Sequence, residues 1–277
     1  FARYLAAKTK LFKLASRVGI INADDPSANA FRRSIKRSIS YGIKAGDWRA
    51  QDVKLDAQGS DYTAHVGDNS YHMHVNIPGE FNIYNSLAAA AVGNEVGLTK
   101  KQIEQGIAAL AGVEGRMTVV DAGQAYSAIV DFAHTPDSFE RLLNDVRNAT
   151  KGKLVVLFGS AGRRDEAKRA IQGEIAGKYA DEIVLTEEDD RDVDGNTILS
   201  QIASGAEKAG KKREENLFLV PDRTAAINFA VSRVSSSKDT VIFLGKGHEK
   251  TIERADGAHP WNEIETVRQA ILNIKAK

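Results

Sequence analysis

Two rhythms of apolar and polar positions divide this chain. Residues 2–16, ARYLAAKTKLFKLAS, place Tyr4, Leu5, Leu11 and Phe12 on one face at helical spacing, with good helix formers between them. Lys8 falls on that face, four residues after Tyr4 and three before Leu11. VGIINADDPSA then reads as a short apolar strand ending in Asn, Asp and Pro turn chemistry. From about 39 to 77 the pattern alternates, as in DYTAHVGDNSYHMHVNI, with GDN supplying a hairpin turn. Beyond Pro78-Gly79 an alanine-rich stretch predicts a helix from about Asn85 to Val96. A shorter helix follows Thr99 and ends near Gly112.

From about residue 113 the rhythm changes. Apolar runs at AIVDF, KLVVLF, EIVLT, LFLV and TVIFL alternate with amphipathic helical stretches. That alternation predicts βαβ units and a parallel sheet covered on both faces. Right-handed crossovers make a doubly wound α/β domain the economical topology. The expected division is therefore residues 1–112 and residues 113–277. In open parallel sheets ligands bind beyond the carboxyl ends of the strands. The loops there read AHTPDS, GSAGRRDEAKR, EEDDRDVDGN, PDRT and GKGHEK, and four of the five are dense in Gly, Arg, Lys, His or Asp. This concentration argues for one polar site handling an anionic ligand.

Composition narrows the function classes. The chain has 277 residues, enough for two domains of ordinary size. With 38 basic and 37 acidic residues the net charge is +1, which gives no electrostatic reason to expect nucleic-acid binding. The absence of cysteine excludes disulfides and thiolate metal sites. The longest apolar run, around SLAAAAVG, is far short of the ~20 residues of a membrane span. The sequence begins at Phe1 rather than Met, so a fragment of a longer protein is expected.

DDRDVDGN, residues 189–196, resembles the opening of a calcium loop, with Asp190, Asp192 and Asp194 alternating before Gly195. Two requirements fail. The twelfth position counted from Asp190 is Gln201 where a bidentate Glu is needed, and the loop leaves a strand rather than a helix. The remaining readings are a solvated acidic loop whose Asp194 or Asn196 caps the helix starting near Thr197, or a surface that reads a charged substrate.

The motifs YLAAKTKLF, NADD, PGEFNIYNSLAAAA, GRM, DFAHTPDS, FGSAGRRDEAKR and GKGHE resemble those of the Mur ligases, in the same order, from residue 4 to about 270. They look most like the UDP-N-acetylmuramoyl-tripeptide synthetase branch. The resemblance implies that residues 1–112 are the C-terminal part of a central ATP-binding domain. Residues 113–277 would be the Rossmann-like C-terminal domain that binds the amino acid. It implies a cytoplasmic, ATP- and Mg2+-dependent ligase that joins a diamino acid to a UDP-linked muramoyl peptide through an acyl phosphate; no nucleic-acid or membrane partner is expected, and a monomer is favoured with the oligomeric state left open. No G-x-x-x-x-G-K-[ST] occurs, so the chain alone is not expected to transfer phosphate.

The resemblance also implies roles for particular residues. Lys8 matches a lysine that becomes carbamylated and helps hold magnesium; an oxygen ligand suits that hard cation. Read without the family, Lys8 is an ordinary helix lysine. Asn82 and Asn85 match positions near the adenine, for which an amide offers donor and acceptor together; helix capping explains Asn82 as well. Arg116 matches an ATP-contacting arginine, and Asp131 and His134 the ribose and phosphate neighbourhood, with His134 also counted as catalytic. Asp137 after Pro136 reads as a helix start.

Arg164, Gly245 and Glu249 match the site for the incoming amino acid, where arginine forks face a carboxylate and Glu faces an ammonium. Glu188, Asp189, Asp190 and Arg191 align with the family's Asp-Asn-Pro-Arg selector. Arg191 favours a distal carboxylate, as in meso-diaminopimelate, while the added negative charge weakens that preference and places lysine second. Two other readings stay open: another carboxylate–amine ligase of the folylpolyglutamate or cyanophycin synthetase type, and a non-catalytic nucleotide- or amino-acid-binding module.

Overall fold

The computed structural model describes residues 2–55 and 59–275. Its contacts divide the chain into two compact units, Phe1–Gly112 and Val113–Lys277.

The first unit opens with helix α1 (Ala2–Leu14), followed by β1 (Gly19–Asn22), the short α2 (Ala28–Arg32), β2 (Ser38–Gly42), β3 (Trp48–Leu55), β4 (Ser60–Val66) and β5 (Asn69–Val75). The five strands lie in the order of the sequence, β1 to β3 parallel and β3 to β5 antiparallel. Val66 pairs with Asn69, so Gly67–Asp68 is the two-residue turn that the GDN signal predicts. Helices α3 (Glu80–Glu95) and α4 (Lys100–Ala108) complete the unit. Alternate residues Tyr62, Ala64, Tyr71, Met73 and Val75 meet Ile83, Leu87, Ala90 and Ala91 of α3 in one buried core.

Three expectations change here. α3 starts at Glu80, five residues before the predicted Asn85, because Gly79 takes the N-cap position and Glu80 suits the first turn. Asn82 is therefore inside the helix and caps nothing. α4 stops at Ala108, short of Gly112. In α1 the residues that face the unit are Leu5, Thr9 and Phe12, with Phe12 stacked on Phe31 at 4.7 Å; Tyr4 and Leu11 are exposed.

The second unit is a six-stranded sheet in the order β10-β9-β8-β11-β7-β6, composed of β6 (Thr118–Val119), β7 (Ser127–Asp131), β8 (Leu154–Phe158), β9 (Glu182–Leu185), β10 (Leu217–Leu219) and β11 (Thr240–Leu244). All neighbours are parallel except the short edge strand β6, which the sequence pattern missed. Helices α5 (Pro136–Ala149), α6 (Ala167–Tyr179) and α7 (Gly195–Lys208) cover one face. Helices α8 (Arg223–Ser232) and α9 (Glu263–Lys275) cover the other. Val156 and Phe158 of β8 enter the first core while Val155 and Leu157 enter the second. Burial on both faces explains why β8 and β11 read as unbroken apolar runs. A second element missed in the sequence is the antiparallel hairpin β12 (Thr251–Arg254) and β13 (Gly257–Pro260).

Candidate active site at the strand ends of the second unit

The parallel strands deliver their polar loops to one end of the sheet. Asp131, the last residue of β7, is buried, and its two carboxylate oxygens accept the backbone N–H groups of Met117 (2.8 Å) and Ala133 (2.7 Å). Burial pushes its pKa up, opposed by those two hydrogen bonds and by the Arg116 guanidinium. The carboxylate thereby ties the Arg116–Met117 turn to the end of β7. Phe132 lies at the centre of the next group: the Arg116 guanidinium stacks 4.6 Å from its ring centroid, His134 lies at 4.8 Å and His248 at 5.1 Å. His134 Nδ1 lies 2.9 Å from the Phe132 carbonyl, which can only accept. Nδ1 is therefore the donor in this bond, and Nε2 is the ring nitrogen left for a ligand. Lys168 of α6 donates to the His134 carbonyl at 3.0 Å.

Across the same strand ends stands the acidic loop after β9. Glu188 is buried, and desolvation raises its pKa against the pull of Lys168, Arg223 and Lys246, with Asp189 adding to the rise. Asp189 Oδ1 accepts from Lys246 Nζ (2.8 Å) and from the Glu253 N–H (2.9 Å). Asp190, also raised by burial, accepts the Glu188 N–H at 3.3 Å. Arg191 has φ of 55° and donates to the Gly162 carbonyl (2.7 Å), while its other terminal nitrogen lies 3.9 Å from Asp189 Oδ2. Arg164 is exposed and makes no side-chain hydrogen bond or ion pair among the described residues.

The loop Gly245–Glu249 joins the two groups. Gly245 has φ of 100°, and a Cβ there would lie 2.4 Å from Glu188 Oε2, so only glycine allows this approach. Lys246, 1% exposed, bonds Asp189 and also Glu249 Oε2 at 2.6 Å. Gly247 packs on Phe132, and a Cβ on Gly115 would fall 2.2 Å from the His248 nitrogen. The GRM turn, the β7 end, the acidic loop and GKGHE thus form one contiguous surface.

The three aspartates of DDRDVDGN do not converge. Asp190 binds the loop backbone, Asp192 pairs with Arg163, and Asp194 caps α7 through the Thr197 N–H (3.0 Å) and hydroxyl (2.7 Å). Among the described residues no group of three His, Asp or Glu side chains is placed to hold a metal ion.

In the first unit, Asn82 is buried and spends its Nδ2 on the carbonyls of Pro78 (2.8 Å) and Ile77 (3.4 Å). Its Oδ1 accepts from Asn85 Nδ2 at 3.0 Å, which leaves the exposed Asn85 amide with one N–H and its Oδ1 to offer. Lys8 is exposed on α1, with its ammonium 5.3 Å from the Tyr4 ring centroid. Lys8 is free for modification, but it would be a single ligand. Among the described residues no group of three His, Asp or Glu side chains completes a magnesium site around it.

Comparison with known proteins follows the two units. Residues 1–93 match the Mur ligase middle domain, and residues 115–247 match the Mur ligase glutamate ligase domain. The chain belongs to the Mur ligase family. It is 37% identical over 262 residues to the UDP-N-acetylmuramyl-tripeptide synthetase of Roseiflexus sp. (strain RS-1), covering 93% of this chain and 51% of that protein. It is 39% identical over 252 residues to the UDP-N-acetylmuramoyl-L-alanyl-D-glutamate--2,6-diaminopimelate ligase of Syntrophomonas wolfei, covering 89% of this chain and 51% of that one. A solved 2,6-diaminopimelate ligase of the same description superimposes with a TM-score of 0.59 at 26% identity, over 98% of this chain and 56% of the other. The chain spans about half the length of the curated Mur ligases it matches.

Lys246, Lys168, His248, Glu187, Arg223 and Arg254 were not among the residues singled out from sequence. Lys246, His248 and Lys168 lie inside quoted motifs. Arg254, whose guanidinium grips Glu187 at 2.7 and 2.9 Å, had no signal, because its hairpin was not recognised.

Proposed function

We propose that this chain is the nucleotide- and amino-acid-binding half of an ATP-dependent ligase that adds a diamino acid to UDP-N-acetylmuramoyl-L-alanyl-D-glutamate. The observation that carries this reading is the Gly245–Glu249 loop. It places the cationic and aromatic group of Arg116, His134 and His248 beside the acidic group of Glu188, Asp189 and Glu249. An acyl phosphate and an ammonium-bearing amino acid need those two surfaces side by side.

In the proposed reaction the substrate carboxylate attacks the γ-phosphorus of ATP, giving an acyl phosphate and ADP. The amine of the diamino acid then displaces phosphate, forming the amide and losing a proton. Magnesium, when bound, supplies charge neutralisation in the first step. Asn85 offers its remaining donor and acceptor to the adenine edge, and Asn82 acts by holding it. Arg116 supplies fixed positive charge, and Nε2 of His134 accepts a proton or a hydroxyl hydrogen bond. Lys8, once carbamylated, would supply one oxygen ligand to magnesium.

For the amino acid, the free fork of Arg164 and the open nitrogen of Arg191 favour a distal carboxylate, as in meso-diaminopimelate, and Glu249 faces the distal ammonium. A second reading, lysine, is favoured by Asp189 Oδ2, 3.9 Å from Arg191, which partly satisfies that guanidinium before substrate arrives. The test is phosphate release by the intact polypeptide that carries this chain. Release is expected to require ATP, the UDP-linked dipeptide and a diamino acid, with meso-diaminopimelate turned over faster than lysine. Release with glutamate in place of a diamino acid, or none with any combination, rejects the reading.

A further inference from the structure

Lys246 is one of the largest fully buried side chains in the chain, and nothing in the proposed reaction uses it. A buried ammonium persists only where its charge and its donors are matched. Lys246 meets that condition with two carboxylates on two different loops, Asp189 Oδ1 at 2.8 Å and Glu249 Oε2 at 2.6 Å, and its charge also acts on Glu188. Asp189 is anchored from a third direction, since the same Oδ1 accepts the Glu253 N–H of β12 at 2.9 Å. Arg191, two residues on, donates its N–H to the Glu253 carbonyl at 2.9 Å. The loop after β9 is thus fastened to the sheet through Lys246 and to the hairpin through Glu253. Glu249 differs from Asp189 in being open: 36% of its side chain is exposed, so one of its faces is free for a ligand while the other is fixed by the lysine.

We propose that Lys246 is the positioning residue of the diamino-acid site, holding Asp189 and Glu249 on one buried ammonium so that the acidic loop and the Glu249 carboxylate keep a fixed separation. Asp189 then serves the loop rather than the substrate, and Glu249 is the carboxylate that meets the amino acid's ammonium. A lysine suits this place because its compact ammonium, on a flexible stem, meets two oxygens from different loops at a single nitrogen. The proposal rests on the functional reading above.

The experiment uses the intact polypeptide and the Lys246→Met variant, with KM measured separately for the diamino acid, ATP and the UDP-linked dipeptide. The expected result is a rise of about tenfold or more in the diamino-acid KM, with the other two changed by less than about twofold. Equal rises for all three substrates, or a fall in kcat alone, overturn the positioning role. Because the methionine variant leaves two carboxylates without their shared ammonium, Asp189→Asn, Glu249→Gln and their double variant form a second test. Coupling through Lys246 makes their effects on the diamino-acid KM non-additive by about threefold or more; additive effects overturn the proposal. A wild-type polypeptide that turns over without any diamino acid rejects the functional reading instead, and so the two failures are distinguishable.

Discussion

Arg223 and Glu263 form a fully buried two-pronged ion pair, with Nε to Oε2 at 2.9 Å and the terminal nitrogen to Oε1 at 2.6 Å. The same guanidinium donates to the carbonyls of Glu187 and Leu244, each at 2.9 Å, and so ties the end of β11 to the start of the acidic loop. Burial alone would lower the pKa of Arg223, but the Glu263 carboxylate raises it above its ordinary value. Replacing one partner leaves an uncompensated buried charge. Arg223→Met is expected to destabilise the chain by about 3–5 kcal/mol in urea denaturation. Adding Glu263→Met in the same chain is expected to recover part of that loss, because removing both charges removes the desolvation cost.

Glu188 gives a pH dependence whose sign is fixed by its burial. Its carboxyl titrates above the ordinary 4.5 because desolvation outweighs the nearby lysines and Arg223. The folded chain therefore holds this proton more tightly than the unfolded one. The contribution to stability is present below 4.5 and is lost as pH rises through the raised value. Glu188→Gln is expected to have a higher Tm than the parent at pH 7, with the gap closing as pH falls toward 4.5. Thermal melts across that range check it.

Asn82 and Asn85 separate a structural role from a binding one. Asn82→Ala removes bonds to two carbonyls in a buried position and is expected to cost about 1–3 kcal/mol. Asn85→Ala is expected to leave stability nearly unchanged and to raise the KM for ATP in the intact polypeptide. Equal effects of the two on stability would remove Asn85 from the proposed adenine contact.

Lys8 lies on a helix with no buried residue, so Lys8→Ala is expected to change stability by less than about 0.5 kcal/mol. Phosphate release by the intact polypeptide is expected to fall by about a hundredfold or more. Mass spectrometry in bicarbonate is expected to show the carbamate on Lys8, and a bare ammonium in the ligand-bound enzyme would reject that role.

The Asp194 cap distinguishes the helix-start reading of DDRDVDGN from the calcium reading. Thr197 holds the Asp194 carboxyl below its ordinary value, so the cap is lost only as pH falls through that lowered value. Asp194→Ala is expected to lower the Tm at neutral pH by removing the α7 cap. Saturating calcium is expected to leave the Tm of the parent chain unchanged.

The sequence by itself determined the doubly wound sheet, because strands buried on both faces must be apolar without interruption and LVVLF and TVIFL are. It also showed which loops are dense in polar groups, since Gly, Arg, His and Asp gather after those strands, and ordered motifs pointed to the Mur ligases. It could not show what each side chain touches. Asn82 looked like a cap until Gly79 took that position, and Tyr4 and Leu11 looked apolar-facing until the packing of Phe12 on Phe31 fixed the rotation of α1. The hairpin β12–β13 is too short and too polar to signal itself, yet Glu253 and Arg254 hold the acidic loop. Only the tertiary structure decided that Lys246 is buried between Asp189 and Glu249. A residue's spacing in the chain is set locally, whereas its electrostatic partners are set by which loops the sheet order brings together.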